Sequence, residues 1–490
     1  MGKTLLVLVS GEWPVDVSKG ALAMILIEKI KAHPLEYARK AFNPFWWTRY
    51  VKMYPHRRMA NDESQRVYEM LNKMNEGTLT NTAYYRNCKL SQILQYAGEH
   101  CPYYRDIFQK VGFNTKTLDG FDTLPLLDKT TIRSQRNELI SDEIDSMDCG
   151  TMNTGGSTGE PLEFFVSRIA GLIDTVHQEF VFKNSMQYQQ GDVIVAFDGS
   201  SVPTKLLNAH KYWVVTSNQD IPYGRLSYSS LYLRADTIPH YIRHILETKP
   251  SIFRGYPSFI NDIAQYILDN GISIPFKVKG VQLTAENAHD WQIENIRKAF
   301  NTEVFLQYGH SEVCVYGYTF DNSYEYYCSP FYGFTEVLSD DGKHISVGDV
   351  GEVVVTGFYN FAMPFIRYRT GDLAVFNGDV DGVTRLGKIV GRTQDFILTD
   401  NGEKVALTAL IFGQHYRAFR NIQKWQLQQD IPGKVKVRIV QEDDYSVENE
   451  IEIRAKFKDI CDVDTEFDYV DLIPLSPRGK FKFLVQNIKS

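Results

Sequence analysis

No stretch of this sequence is long and apolar enough to cross a bilayer, which takes about 20 residues. The apolar run near the amino terminus, Leu5-Leu6-Val7-Leu8-Val9, is short for a signal-peptide core and is followed by Gly11-Glu12-Trp13-Pro14 rather than a small-residue cleavage site. Residues 21–27 are apolar but equally short. Positive charge is not in excess: the formal net charge is −7, which argues against a nucleic-acid or anionic-membrane partner. The six cysteines (Cys88, Cys101, Cys149, Cys314, Cys328, Cys461) form no CxxC pair and no dense cluster, so reduced thiols are expected rather than a disulfide framework. Internal repeats and low-complexity segments are absent as well, which excludes repeat scaffolds. An aromatic and basic stretch, Phe45-Trp46-Trp47 with Arg49, Lys52, His56, Arg57 and Arg58, reads as the packed face of an amphipathic helix or as a membrane or partner contact. A cytoplasmic protein is expected.

What is present is material for a large enzyme. A chain of 490 residues exceeds what one hydrophobic core usually organises. Its 43% hydrophobic and 23% charged content is ordinary for a globular protein. Leu90, Ile93, Leu94 and Ala97 recur at helical spacing until Cys101-Pro102. Residues 192–197, 278–283 and 302–307 read as strands, alternating with helices over 241–247, 259–268 and 291–300. That alternation implies βαβ units and a mostly parallel sheet. After Gly351 the texture becomes strand-rich (352–356, 373–376), and a helix over 408–419 and a strand over 435–440 follow. Residues 450–457 are ambiguous, because Ile451, Ile453, Ala455 and Phe457 alternate as in a strand while the charge content permits a helix.

Five segments carry chemistry. In Thr154-Gly155-Gly156-Ser157-Thr158-Gly159-Glu160-Pro161, glycines let backbone amides point inward and hydroxyls add donors, as a triphosphate requires. The lysine of a Walker A loop is missing. Tyr308-Gly309-His310-Ser311-Glu312 offers a ring for a base, a hydroxyl for a phosphate and a carboxylate for magnesium. Asp372, in Arg367-Tyr368-Arg369-Thr370-Gly371-Asp372, is a fixed carboxylate suited to the paired hydroxyls of a ribose. Gly391-Arg392-Thr393-Gln394-Asp395 stands at the compositional break. Lys480, behind Gly479, can neutralise charge developing between a carboxylate and an α-phosphate. Each has a plainer alternative: a surface turn, a strand-end turn with a solvated Glu, a salt-bridged turn, a linker and a solvated terminal lysine. Their joint presence, in this order, points to conversion of a carboxylic acid and ATP into an acyl-adenylate.

With these motifs the chain resembles the adenylate-forming (ANL) superfamily, in the branch of phenylacetate–coenzyme A ligases and CapK-like capsule-biosynthesis proteins, over roughly residues 90–488. Gly255-Tyr256-Pro257-Ser258 and Thr284-Ala285-Glu286 add to the likeness. The resemblance implies an α/β fold with a large adenylation domain (61–391), preceded by an extension (1–60) and followed by a small mobile α+β lid (392–490) that pivots near Gln394 and Asp395. It makes residues 446–460 a helix. It implies that Thr154, Gly155, Gly156, Ser157, Thr158 and Gly159 embrace phosphates, and that Thr284, Ala285 and Glu286 wall the adenine. Tyr308, with Gly309 and His310, covers the base, and Ser311 contacts phosphate. Glu312 holds Mg²⁺, Asp372 and Arg392 hold the ribose, and Lys480 is the adenylation lysine. The expected enzyme is an AMP-forming ligase using ATP and Mg²⁺. The acyl group would pass to an amine or hydroxyl of a sugar, amino acid or polysaccharide. Polar residues between 192 and 225, including Asp198, His210, Lys211, Asp220 and Arg225, favour a polar acid. The alternatives are transfer to coenzyme A and an inactive nucleotide-binding scaffold, against which intact Glu312, Asp372 and Lys480 argue. Leu162 stands where many members carry Lys after the loop's Pro, and Lys482 competes with Lys480. Cys314 and Cys328 lie where some relatives bind zinc, but further ligands are not evident and no zinc is expected.

Overall fold

The computed structural model describes residues 62–153, 162–189, 191–215, 226–321, 323–392, 396–406, 418, 421–461, 463–476, 479 and 481–488. The expected extension 1–60, the glycine-rich loop, the polar stretch 216–225 and most of the helix expected over 408–419 therefore lie outside the described residues.

Helix Thr82–His100 buries Leu90, Ile93, Leu94 and Ala97, the stripe read from the sequence, and Asn81 caps its start by accepting from the Tyr84 amide at 3.2 Å. It breaks at Cys101 because Pro102 opens the next helix, Pro102–Val111, at a position where a missing N–H costs nothing. Gly112, at φ 65°, ends that helix in the left-handed conformation that glycine adopts freely.

The strands, in chain order, begin with β1 (Cys149–Asn153), β2 (Glu163–Ser167), β3 (Ile194–Asp198), β4 (Trp213–Val215), β5 (Leu226–Ser229), β6 (Ile252–Gly255) and β7 (Gly280–Thr284). They continue with β8 (Val304–Gly309), β9 (Tyr316–Tyr318), β10 (Tyr326–Cys328), β11 (Gly333–Leu338), β12 (Val350–Gly357), β13 (Tyr368–Val380) and β14 (Val383–Arg392). All but β1 and β2, which pair as an antiparallel hairpin, join one 12-stranded sheet in the order β11-β12-β13-β14-β10-β9-β8-β7-β6-β3-β5-β4.

The α/β class is as expected, but the parallel pairing is narrower than the alternation suggested. It runs only from β5 through β3, β6 and β7 to β8, connected by helices Ile238–Thr248, Pro257–Asp269 and Asp290–Phe300. In this sheet every pairing beyond β8 is antiparallel, the consecutive strands there being joined by connections too short for a helical crossover. The sheet is mixed. Helix Arg168–Met186 packs against it, burying Ile173, Val176 and Phe180.

A second core lies toward the carboxyl terminus, around Ile397, Trp425, Leu427, Val437, Ile453 and Phe457. It is built on β15 (Phe396–Leu398), β16 (Lys404–Ala406), β17 (Ile422–Ile431), β18 (Lys434–Gln441), β19 (Asp464–Tyr469) and β20 (Leu484–Gln486). Four of these form a sheet in the order β19-β18-β17-β20. Helix Val447–Cys461 settles the ambiguous segment against its alternation. Asn449, Ile453, Phe457 and Cys461, four apart, are buried on one face, whereas Ile451 is 60% exposed. Among the described residues no helix is long and apolar enough to cross a membrane.

Candidate active site

The carboxyl ends of β7 and β8 open into a cleft of about 1990 Å³ that also meets the C-terminal unit. Ligands in sheets with parallel strands collect at such strand ends. Tyr308 is the penultimate residue of β8, buried, and its hydroxyl donates to Asp372 Oδ2 at 3.0 Å. Burial, reinforced by the Asp372 charge, pushes its phenol well above the usual value, so it stays protonated as the donor. After β8 the chain turns through Gly309, His310 and Ser311, all lining the cleft, to Glu312. Glu312 is 6% exposed and lines the cleft too. Its Oε1 accepts from the Tyr368 hydroxyl at 2.8 Å, and its Oε2 lies 3.2 Å from His310 Nδ1. Burial pushes this carboxyl up, but the His310 charge and the hydrogen bonds from His310 and Tyr368 outweigh it and bring it down to about 2. The next residue, Val313, holds φ 51°, a region a β-branched side chain adopts only under constraint.

On the adjoining antiparallel strands the register sets Asp372 of β13 directly opposite Arg392 of β14. The Arg392 side chain is outside the described residues, but its backbone position beside Asp372 is given. Asp372 lines the cleft. The arginines upstream do not: Arg367 forms a buried two-pronged pair with Glu336 (Nη2–Oε1 3.0 Å, Nε–Oε2 3.1 Å), and Arg369 pairs with Glu352. The salt-bridged alternative therefore holds for both arginines.

Thr154, Gly155, Gly156, Ser157, Thr158 and Gly159 lie outside the described residues. The hairpin that carries them is described: Asn153 pairs with Glu163, and Met152 and Lys129 line the cleft. Both ends of the loop thus rise side by side at the cleft's edge. Thr284 ends β7, and Ala285, at φ 70°, turns the chain toward the cleft. Glu286 does something its place in the sequence does not announce. Its Oε2 accepts from the Ser258 amide at 3.2 Å, and its Oε1 from the Phe481 amide at 2.9 Å. Lys480 is outside the described residues, yet both neighbours are placed. Gly479 accepts from Ser230 Oγ at 2.8 Å through its carbonyl, and Phe481 is held by Glu286. Gly479 sits at φ 71°, and a Cβ there would come within 2.1 Å of Ser230 Oγ and 2.8 Å of Gly199 Cα. Lys482 lines the cleft.

Sequence reading assigned no role to Tyr368, the hydroxyl that fixes Glu312. It lay inside a quoted motif, but its side-chain direction depends on the strand register of β13. Asp174 and Arg254 also line the cleft unforeseen. Arg254 donates from Nε to Gln282 Oε1 at 3.0 Å, and Asp174 accepts from the Tyr332 hydroxyl at 3.0 Å. Of the polar stretch expected to face the acid, Asp198 is tied locally to Ser227 Oγ (2.8 Å) and the Ser200 amide (2.9 Å).

Residues 397–487 match the CapK C-terminal domain family. The chain is 25% identical to Protein CapK of Staphylococcus aureus over 415 residues, covering 82% of this chain and 89% of that protein. It is 24% identical over 341 residues to phenylacetate–coenzyme A ligase of Thermus thermophilus, covering 63% and 70% respectively. Among solved structures, 2-hydroxyisobutyryl-CoA ligase in the postadenylation state superimposes with a TM-score of 0.62 at 16% identity, over 82% of this chain and 88% of that one. The chain is thus similar in sequence to CapK and to phenylacetate–coenzyme A ligases, its residues 397–487 match the CapK C-terminal domain family, and its fold is that of 2-hydroxyisobutyryl-CoA ligase.

Proposed function

We propose that this AMP-forming ligase joins a carboxylic acid to AMP from ATP and then passes the acyl group to an amine or hydroxyl acceptor, in the cytoplasm, during capsular or surface polysaccharide assembly. The observation that carries the reading is the convergence on one cleft of Glu312, Tyr308, Asp372 and the anchored neighbours of Lys480. In the first step a carboxylate oxygen bonds to the α-phosphorus while the bond to the pyrophosphate leaving group breaks. This displacement needs positioning and charge stabilisation more than covalent help. Tyr308 and Asp372 seat the nucleoside, with Arg392 beside Asp372 on the ribose, and the glycine-rich loop holds the phosphates. Glu312 has the donor chemistry for a hard cation: an oxygen ligand that stays ionised. Bound there, Mg²⁺ would offset phosphate charge. Lys480 offsets charge at the reacting oxygens, and residues 392–490 serve as a lid that presents it. In the second step the acceptor attacks the acyl carbon, AMP leaves and the nucleophile gives up its proton.

The polar groups Asp174 and Arg254 on the cleft wall favour a polar acid. The likeness to phenylacetate–coenzyme A ligases favours a second reading, in which the acceptor is the thiol of coenzyme A. One screen separates the two: pyrophosphate release from a panel of acids and amino acids, with and without coenzyme A, and with hydroxylamine to trap the adenylate. Turnover trapped by hydroxylamine and indifferent to coenzyme A supports the amine or hydroxyl acceptor; dependence on coenzyme A overturns it. In the same assay Lys480→Ala should lose about 10²-fold or more of pyrophosphate exchange with ATP binding retained. Undiminished exchange would remove Lys480 from the step.

A further inference from the structure

A charged pair joins the C-terminal unit to the large one at the wall of the cleft, outside the motifs. Asp262, on helix Pro257–Asp269, forms an ion pair with Lys424 of β17 across the boundary between the two cores. The same helix makes a second link to the C-terminal unit. Its first turn donates the Ser258 amide to Glu286, and Glu286 in turn holds Phe481 beside Lys480. His289 and Phe483 meet edge to face across the same seam, with ring centres 6.2 Å apart. Opposing these contacts, Glu442 faces Asp269; burial first, and then the Asp269 charge, pushes its carboxyl up.

We propose that Asp262 and Lys424 are positioning residues for adenylation alone: their pairing, transmitted through helix Pro257–Asp269 and Glu286, holds Phe481, the neighbour of Lys480, at the cleft. The proposal rests on the adenylate-forming reading. A partly buried pair with one partner removed leaves an uncompensated charge, so breaking it costs far more than an exposed pair would. Glu442 and Asp269 line the same cleft, and their like charge opposes the Asp262–Lys424 attraction. Asp262 lines the cleft but bonds across the boundary to Lys424, so the proposal expects its effect in the half-reaction that needs the C-terminal unit in this position.

The test has two parts. Asp262→Lys and Lys424→Asp, each alone, should slow pyrophosphate exchange on the order of ten-fold. Transfer from the preformed acyl-adenylate to acceptor should change less than two-fold by the same logic. The double exchange, Asp262→Lys with Lys424→Asp, should recover most of the loss. No recovery in the double variant, or equal loss in both half-reactions, overturns the proposal. The second part does not depend on the reaction. Carbodiimide treatment of the unmodified protein should join Asp262 to Lys424 by an amide, read by peptide mass spectrometry. If that cross-link is absent the pairing is refuted whatever the enzyme does; if it forms while no acid is activated, the pairing stands and the adenylation reading fails.

Discussion

Glu312 shows how much of the site was legible at the scale of a single residue. The sequence supplied the carboxylate and its place after a strand, but not the Tyr368 hydroxyl and His310 ring that decide its ionisation. Those neighbours come from β13 and from the turn itself, and only the register of the sheet brings them together. Because the folded carboxyl falls from an ordinary 4.5 to about 2, its ionised form contributes stability that is fully present above pH 4.5. That contribution is lost as the pH falls through about 2, and it amounts to about 3 kcal/mol at most. Urea unfolding at a series of pH values should therefore show a steeper loss between pH 4.5 and 2 for the native protein than for Glu312→Gln. Equal slopes would mean that the carboxylate is not held in this way. Glu286 teaches the reverse lesson. Its motif was read as a wall for adenine, whereas its two oxygens reach backbone amides far apart in the sequence, a task no local pattern encodes.

Among the elements, the helices expected from Leu90 and over 241–247, 259–268 and 291–300 are present because a period near four leaves a recurring signal, whereas Arg168–Met186, buried on several sides, was not foreseen. Residues 450–457 defeated the same reading, since Ile451 and Ala455 lie among the buried residues of the stripe and imitate a period of two. The structure separates them: Phe457 is fully buried and Ile451 is exposed. Phe457→Ala should cost about 3–5 kcal/mol of the C-terminal unit's stability. Ile451→Ala on the same helix should stay within about 0.5 kcal/mol. Chemical denaturation followed by Trp425 fluorescence would check both, and a large cost at Ile451 would contradict the helical face. Strand direction was the other limit. Alternating strands and helices announce parallel pairing only where a helix intervenes, and beyond β8 the connections are too short to reveal order or direction.

For the whole molecule, the separate core around Ile397, Leu427 and Phe457 predicts two calorimetric transitions, one for each core. A single transition whose calorimetric and van't Hoff enthalpies agree would show that the seam between them is too strong for the proposed turning motion. Nothing in the composition foretold that seam, because Asp262 and Lys424 are brought together only by tertiary packing. The pairing of Asp372 with Arg392 has a geometric consequence for such a motion. Arg392 is the last residue of β14, the point where the chain leaves the large sheet, so under the proposed function the grip on the sugar would lie almost on the axle. Points near an axle scarcely move while distant ones sweep wide arcs. In that proposal AMP, joined to its acyl group as a mixed anhydride, would stay moored at its ribose throughout the swing, as the Gly479 tip travels clear and admits the second reactant.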